Sequence, residues 1–200
     1  MVTISAVRIA NMALSHIGAR SSIESLDESS PEAKQCKLWY DYSRQQALAS
    51  YDWSFARKRQ ALAVHADDPP EGVWNYRYVY PSDCLKAQHI VNLAGPTADA
   101  VPYNVEASDD GETKTILTDT EDAVLVYTFD QTSTAMFTPL FIEMLSHLLA
   151  HHIAFSLTGK KEIRTLELQI YNSLVNAAPA QDANEKVEAP PREAEWIRGR

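Results

Sequence analysis

The feature that most constrains the fold of this sequence is a long apolar stretch, residues 137–158. Its apolar side chains recur at steps of three and four and cover well over half of a helical surface, and Gly159 follows where a left-handed residue ends a helix. The residues on this broad face are Leu140, Phe141, Met144, Leu145, Leu148, Leu149, His152, Ile153 and Phe155. A narrower strip of small and polar residues contains Pro139, Glu143, Ser146, His147, Ala150 and Ala154. We predict that this is the central and most buried helix.

Three further helices are predicted, over residues 3–17, 31–51 and 161–178. Gly18 ends the first, Ser30 and Pro31 suit the start of the second, and Pro179 follows the last. Between the second and third helices, short strands are predicted at residues 61–64, 74–80, 85–93, 101–105, 115–117 and 124–129.

These elements predict an α+β fold. A body, residues 1–178, is expected to be a four-helix bundle with an inserted small antiparallel β module at about residues 54–130, and residues 179–200 are expected to form an extended C-terminal arm. Strands and helices do not alternate, which argues against a doubly wound nucleotide-binding sheet.

Negative charge is concentrated in the middle of the chain. The sequence has 27 acidic and 18 basic residues, and residues 66–136 hold 13 of the acids but 3 of the bases. Because attraction to nucleic-acid phosphates requires clustered positive charge, this balance argues against a general nucleic-acid clamp. One dense basic run, Arg57, Lys58 and Arg59, is compatible with contact to nucleic acid or an acidic neighbour, but a solvated face is the favoured interpretation.

The cysteines and the hydropathy pattern predict a chain without disulfides or membrane spans. Cys36 and Cys84 belong to no Cys-x-x-Cys pair, so we expect buried thiols in a reducing compartment. Arg8, Asn11 and His16 interrupt the apolar N-terminal stretch, and no run of about 18 apolar residues occurs. We expect no signal peptide and no membrane partner.

Three histidines, His147, His151 and His152, are close enough on one predicted helix to be considered as zinc ligands. The residues between His147 and His151 lack the Glu of a zinc-protease motif, and no third ligand is marked. The favoured interpretation places His152 in the core and the other two on the polar strip, with Glu143 as the partner of His147. We predict no metal site and no cofactor.

No residue is predicted to be catalytic. Glu143 is the one acid inside an apolar helix, but its place on the polar strip favours an exposed or interface carboxylate over a catalytic acid. The sequence contains neither a Gly-x-Ser-x-Gly nucleophile motif nor a phosphate-binding glycine loop.

The end of the chain has the composition of a docking arm. Residues 180–200 are too polar to form a core of their own, yet they end in large apolar residues flanked by arginines. The predicted contact residues are Arg192, Trp196, Ile197, Arg198 and Arg200. Docking on a partner chain is the favoured interpretation, and the alternative is that Trp196 packs back on its own domain.

Three stretches together carry a resemblance to a known family. They read IANMALSHIG at residues 9–18, YDWSFA at residues 51–56, and WNYRYVYPSDCL at residues 74–85. The residues that define the pattern are Trp53, Phe55, Trp74, Tyr76, Tyr78, Pro81 and Asp83. Their order and spacing, within residues 3–178, resemble the tail tubular protein A family, the head-to-tail adaptors or connectors of short-tailed bacteriophages.

The resemblance implies a structural virion protein without enzymatic activity. Subunits of such adaptors form a homo-oligomeric ring, commonly of twelve, beneath the portal protein. The ring extends the DNA channel without sequence-specific DNA binding and docks the tail nozzle protein. The helical core would pack against neighbouring copies, and the arm would reach the portal. The expected location is the head-tail junction of the virion, with assembly in the host cytoplasm.

Two questions stay open at the level of sequence. The acidic module either lines the channel, where like charge would keep DNA from adhering, or meets a basic surface on the nozzle protein. The alternative function is a tail-associated peptidoglycan-degrading enzyme that uses a carboxylate pair.

Overall fold

The computed structural model describes residues 4–92, 95 and 99–183, and within them the protein is α+β, with four helices and two small antiparallel sheets. The helices are α1 (Ala6–His16), α2 (Pro31–Ser50), α3 (Pro139–Thr158) and α4 (Lys161–Ala183). The strands are β1 (Arg57–Ala61), β2 (Tyr76–Val79), β3 (Cys84–Ile90), β4 (Tyr103–Ala107), β5 (Lys114–Thr118) and β6 (Val124–Phe129). Two helices therefore precede the strands and two follow them, as predicted.

Three of the helices begin with the same capping arrangement. The side-chain oxygens of Ser5, Ser30 and Thr138 accept from the backbone N–H three residues later, at 3.2 to 3.3 Å. Each bond satisfies an amide that has no partner within its own helix. Gly159, with φ of 69°, ends α3 in the left-handed conformation that glycine adopts without strain.

Helix α3 is the centre of the helical part. It contacts α1, α2 and α4, which confirms its predicted central position. The predicted strip of small and polar residues is buried as well at Ser146, His147, Ala150 and Ala154. Among the described residues, α3 is the one helix long and apolar enough to cross a membrane, and about two thirds of it is buried inside the protein. A buried core helix has the same composition.

The strands form two three-stranded sheets with the orders β1-β6-β3 and β2-β5-β4, and every pair is antiparallel. Two isolated bridges lie outside these ladders: Val64, after β1, pairs with Tyr78 of β2, and Val101, before β4, pairs with Ile90 of β3. Residues 57–129 are called the β module below. Both sheets contribute to its core, which contains Leu62, Tyr78, Ile90, Ile116, Ala123, Leu125 and Tyr127. In the first sheet Arg57 pairs with Thr128, so the first and last strands of the module are neighbours.

The predicted position of the first strand is wrong. The expected strand at residues 61–64 is instead Arg57–Ala61, where only Arg57 is even partly buried. β1 is an edge strand, and an edge strand whose side chains face water needs no apolar alternation. The strand predicted at residues 124–129 has the predicted ends, and the other predicted strands exist with ends shifted by one to three residues.

The predicted end of the last helix is also wrong, because α4 continues through Pro179 to Ala183. Proline removes one backbone hydrogen bond, but its φ is close to the helical value, so the helix can continue at some cost. A C-terminal arm would therefore begin after Ala183. The predicted arm residues Arg192, Trp196, Ile197, Arg198 and Arg200 lie outside the described residues.

Candidate functional site

The motif residues Trp53 and Phe55 hold the chain where it passes from α2 into β1. The buried indole of Trp53 donates from Nε1 to the carbonyl of Ala47, near the end of α2, at 3.0 Å. The rings of Trp53 and Phe55 meet Phe141 of α3 edge-on, with centroids 5.3 and 5.2 Å apart. Such edge-to-face contacts are favourable in addition to the burial of the rings. The two residues therefore join the start of the β module to two helices.

The aromatic motif residues of the third stretch belong to the framework of the β module. Tyr78 is buried in the module core, and its hydroxyl donates to the carbonyl of Thr120 at 2.9 Å. Tyr76 stacks beside Tyr78 with centroids 6.2 Å apart. Pro81 is buried and Trp74 is half-buried. None of these four side chains lines a cavity described in this structure.

Asp83 connects the motif to the basic run on β1. Its carboxylate accepts from the hydroxyl of Tyr127 at 2.9 Å and pairs with Lys58 at 2.7 Å. Arg57 donates to the backbone carbonyl of Asp52 at 3.4 Å, and Arg59 is exposed. Two of the three charges thus have partners within the protein, so the run is not a free cationic cluster.

A buried arginine links α2 to the end of β6. The guanidinium of Arg44 donates from Nη2 to both carboxylate oxygens of Asp130, at 2.9 and 3.1 Å, and from Nε at 3.2 Å. Gln45 donates to the same carboxylate at 2.9 Å, and Asp41 also contacts Arg44. Bidentate pairing fixes both distance and orientation. We call this contact the Arg44–Asp130 joint.

His147, which was predicted on the polar strip and not in the core, is buried. Its Nδ1 lies 2.6 Å from a carboxylate oxygen of Glu167 on α4, and Glu167 is only 3% exposed. Glu143, the predicted partner, is itself exposed. The strip is covered because α1 and α4 pack against that side of α3, and they bring polar groups that are distant in sequence.

His16, in the last turn of α1, completes this group. Its ring stacks on His147 with centroids 4.0 Å apart and planes 15° from parallel. Its Nε2 lies 3.0 Å from Oγ of Ser146, and the Ser146 hydroxyl lies 2.8 Å from the carbonyl of Glu143. We call His16, Ser146, His147 and Glu167 the imidazole cluster.

The imidazole cluster favours an uncharged His16. Partial burial lowers the pKa of His16 below its ordinary value, and the electrostatic influence of the neighbouring His147 lowers it further. The carboxylates of Glu167 and Glu143 act in the opposite direction but do not reverse the shift. Ser146 resembles a nucleophile beside a histidine, yet it is fully buried and its only proton is directed to a carbonyl. The cluster is arranged to join helices.

A second histidine, His152, lies at the surface between α2 and α3. Its ring stacks on Trp39 with centroids 4.7 Å apart, and Tyr42 meets both rings edge-on. Leu38 and Phe155 continue this surface and are 65% and 45% exposed. We call Leu38, Trp39, Tyr42, His152 and Phe155 the aromatic face.

The prediction that His152 is a core residue is therefore wrong, because its ring is half-buried on this face. Partial burial lowers the pKa of His152 to about 4, and His151 and Arg164 lower it in the same direction. The ring is thus neutral over the physiological range, which suits stacking on an indole.

The third histidine contacts the backbone. Nδ1 of His151 lies 2.9 Å from the carbonyl of Arg164, so this nitrogen donates. Across the part of the chain that the structure describes, no three His, Cys, Asp or Glu side chains are grouped to hold a metal ion. The two cysteines are free thiols: Cys36 is buried, with burial raising its pKa to about 11, and Cys84 is half-buried.

The acidic residues of the β module lie mostly in its turns. Eleven of the 13 acids between residues 66 and 136 are exposed. Arg77 is buried beside two of them, at 2.8 Å from Asp109 and 3.7 Å from Asp67. An open cleft of about 410 Å³ at the β4–β5 turn is lined in part by Glu106 and Glu112. Water solvates both carboxylates there, because both residues are exposed.

Sequence reasoning missed Glu167, Arg44 and Asp130 as the residues that join elements. Each is a charged residue on a polar-looking helix or at a strand end, and nothing local marks it as buried. The signal that could have found Glu167 is its position on α4, one turn after Ile163 and one turn before Tyr171 of the packed face.

Comparison with protein-family models found no matching model, and a search of curated proteins found no matching sequence.

Proposed function

We propose that this protein is a head-to-tail adaptor that forms a ring beneath the portal of a short-tailed phage. The observation that supports this most directly is the aromatic face. Contiguous large apolar side chains left in solvent on two helices are typical of protein–protein contact surfaces. In this proposal the helices act as a four-helix bundle, and the aromatic face packs against a neighbouring copy.

A matched pair of substitutions tests the aromatic face. Leu38 on α2 and Val73 in the β1–β2 connection are each 65% exposed. We expect Leu38→Glu to abolish ring formation with a portal protein, because it places a charge in the subunit contact, whereas Val73→Glu leaves it intact. Native mass spectrometry or negative-stain microscopy of the mixture measures the ring. Rings formed by Leu38→Glu in wild-type amounts would contradict the proposal.

The arm is proposed to bind the portal. Deletion of residues 190–200 should leave a folded protein that no longer binds the portal in a pull-down, because an aromatic anchor dominates such contacts. Trp196→Ala should reproduce the loss. Val187→Ala, in the same segment but outside the proposed anchor, is the matched control. Undiminished binding of the truncated chain would count heavily against this role.

The ring is proposed to surround DNA without gripping it. The exposed acids of the β module give that surface the sign of charge that repels phosphates. We expect negligible retention of the protein on DNA at physiological salt. Binding that weakens steeply as salt is raised would instead indicate a nucleic-acid binder.

A second candidate function is a tail-associated peptidoglycan-degrading enzyme. The observation in its favour is that Glu106 and Glu112 line the same open cleft. A turbidity assay on cell walls tests it, with Glu106→Gln, Glu112→Gln and the exposed-helix variant Glu143→Gln compared. If the wild-type protein clears the suspension and any one of these substitutions abolishes the clearing, the enzymatic function would be favoured over the adaptor function.

A further inference from the structure

Each sheet of the β module has two edge strands, and within the described residues three of these edges are covered or irregular. Residues 63–65 run along β2, where the amide of Val79 donates to the carbonyl of Ala63 at 2.8 Å. β3 is interrupted by two register shifts. On β4, the amide of Val105 donates to the side-chain oxygen of Asn104 at 3.0 Å. Such features keep a sheet edge from pairing with another chain.

The remaining edge strand, β1, is regular and open. Its five residues pair with β6 in unbroken register, from Arg57–Thr128 to Ala61–Val124. All of them except Arg57 are exposed, and no other segment in the described part of the chain pairs with β1. An edge of this kind presents backbone N–H and C=O groups on which a further strand can form.

The hydrogen-bond pattern identifies the backbone groups of β1 that face the open side. Directly after β1, the amide of Leu62 donates to the carbonyl of the opposite residue, Ala123, at 2.9 Å. In an antiparallel ladder such bonded pairs alternate with pairs whose N–H and C=O groups point outward. Counted back from Leu62, the N–H and C=O groups of Arg59 and Ala61 therefore point away from β6. This alternation of donors and acceptors is what the backbone of another strand matches.

The charge of β1 decides which strand fits. Lys58 pairs with Asp83, Arg57 donates to a backbone carbonyl, and Arg59 is exposed, so three neighbouring positions of the edge are cationic. A second copy of β1 would place like charges opposite each other, which is destabilising. A strand with acidic side chains places opposite charges there instead. A long polyanion such as nucleic acid would also meet the exposed acids of the β module, whereas a short strand meets β1 alone.

We propose that β1 is a docking edge that accepts an extended acidic segment of a partner protein as an added strand. The backbone of that segment bonds to the outward groups of Arg59 and Ala61, and its acidic side chains lie beside the basic side chains of β1. In strand addition of this kind, backbone bonds supply affinity and side chains supply specificity. The docking edge is distinct from the aromatic face, and docking on it does not depend on ring formation.

Nuclear magnetic resonance of the isotope-labelled full chain tests the docking edge. The probe is a short peptide that alternates valine with glutamate, and its counterpart has lysine in place of every glutamate. We expect the glutamate peptide to protect the amides of Arg59 and Ala61 from hydrogen exchange, while those of Lys58 and Gln60, which already bond to β6, change little. The lysine peptide should bind about tenfold more weakly, because like charges meet across the added strand. Protection of all four amides alike, or of none, would overturn the proposal.

Two substitutions of Ala61 isolate the backbone contribution. Ala61→Pro removes an outward N–H and no charge, at an edge position where proline is tolerated. Ala61→Ser keeps the N–H and is the matched control. The proline variant should bind the glutamate peptide about fivefold more weakly, and the serine variant should bind it as the wild type does. Wild-type binding by a folded Ala61→Pro would contradict strand addition, and if that variant does not fold, the exchange pattern of the wild type decides.

Arg59→Gln isolates the charge. This variant keeps the outward N–H, so the glutamate peptide should still bind, but its advantage over the lysine peptide should shrink severalfold. An unchanged preference would refute the role of charge in selecting the strand. Tighter binding of a single-stranded oligonucleotide than of the glutamate peptide would overturn the proposal in favour of a nucleic-acid surface.

Discussion

The helical part and the β module achieve stability by different means. Among the described residues, the helical core contains 26 buried apolar residues and the module core contains 7. The module has polar contacts in addition to its smaller apolar core. Arg77 pairs with Asp109, and Asp83 contacts both Tyr127 and Lys58. A small core with exposed turns gains less from burial than a helix covered on all sides. We therefore expect the stability of the module to depend on its attachment to the helices, and four experiments test this expectation.

The largest effect is expected in the helical core. Phe141→Ala should lower the free energy of unfolding by about 4 kcal/mol, because it leaves a cavity where three other aromatic rings meet. Phe155→Ala, on the same helix but 45% exposed, is the matched control and should stay within about 0.5 kcal/mol. Urea unfolding followed by far-UV circular dichroism measures both. Similar losses for the two variants would mean that the buried side of α3 contributes no more to stability than its exposed side.

The next largest effect is expected at the Arg44–Asp130 joint. Arg44→Met should cost about 2 kcal/mol, because it leaves the Asp130 carboxylate with a single partner, Gln45. It should also separate unfolding of the module from that of the helices. Lys58→Met, which breaks a half-exposed pair, should cost much less, because water screens that pair. Tryptophan fluorescence and circular dichroism should give different midpoints for Arg44→Met alone, and coincident midpoints would contradict a joint between two units.

Acid should weaken the helical part through its two histidines with lowered pKa, His16 and His152. The unfolded chain takes up these protons first, so stability falls as the pH drops below about 6.5 and, for His152, levels off near about 4. His152→Gln should recover on the order of 1 kcal/mol of the acid loss, since its half-exposed ring is partly screened. Exposed His89→Gln is the control. Equal pH profiles for wild type and His152→Gln would refute this contribution.

The smallest effect is expected in the β module. Asp83→Asn should cost about 0.5 kcal/mol, because its pair with Lys58 is partly exposed and the Tyr127 hydroxyl can turn to Gln60, 3.0 Å away. Thermal unfolding measures the change, with Asp119→Asn as an exposed control. A loss as large as that of Arg44→Met would show that polar contacts inside the module matter as much as its attachment.

The elements that sequence predicted well have local causes. Ser30 and Pro31 at the start of α2 and Gly159 at the end of α3 act within one helical turn, and the apolar spacing of α3 requires a covered helix. β1 was misplaced because an exposed edge strand has no apolar period. Pro179 was predicted to end α4 because proline disfavours a helix locally. The helix continues through Pro179 nevertheless.

The candidate sites are formed by contacts between residues far apart in sequence, and the spacing of residues along one helix does not reveal such contacts. His147 was assigned to the polar strip because its own helix shows small and polar neighbours on that side. Its burial comes from Glu167, 20 residues away, and from His16, which bonds to Ser146 at a separation of 130 residues. His152 was expected in the core because its neighbours on α3 are apolar, yet its ring lies at the surface beside Trp39 and the exposed Tyr42. Periodicity identifies a face but does not say what covers it.

The pairing of Arg57 with Thr128 gives the β module a particular evolutionary freedom. Its two ends leave the helical part side by side, so the helices are held at the same separation whatever chain length lies between those ends. Insertions, deletions or exchange of the module in related genes would leave α2 and α3 undisturbed, provided that β1, β6 and the Arg44–Asp130 joint are retained. The protein can therefore diversify one surface while conserving the other.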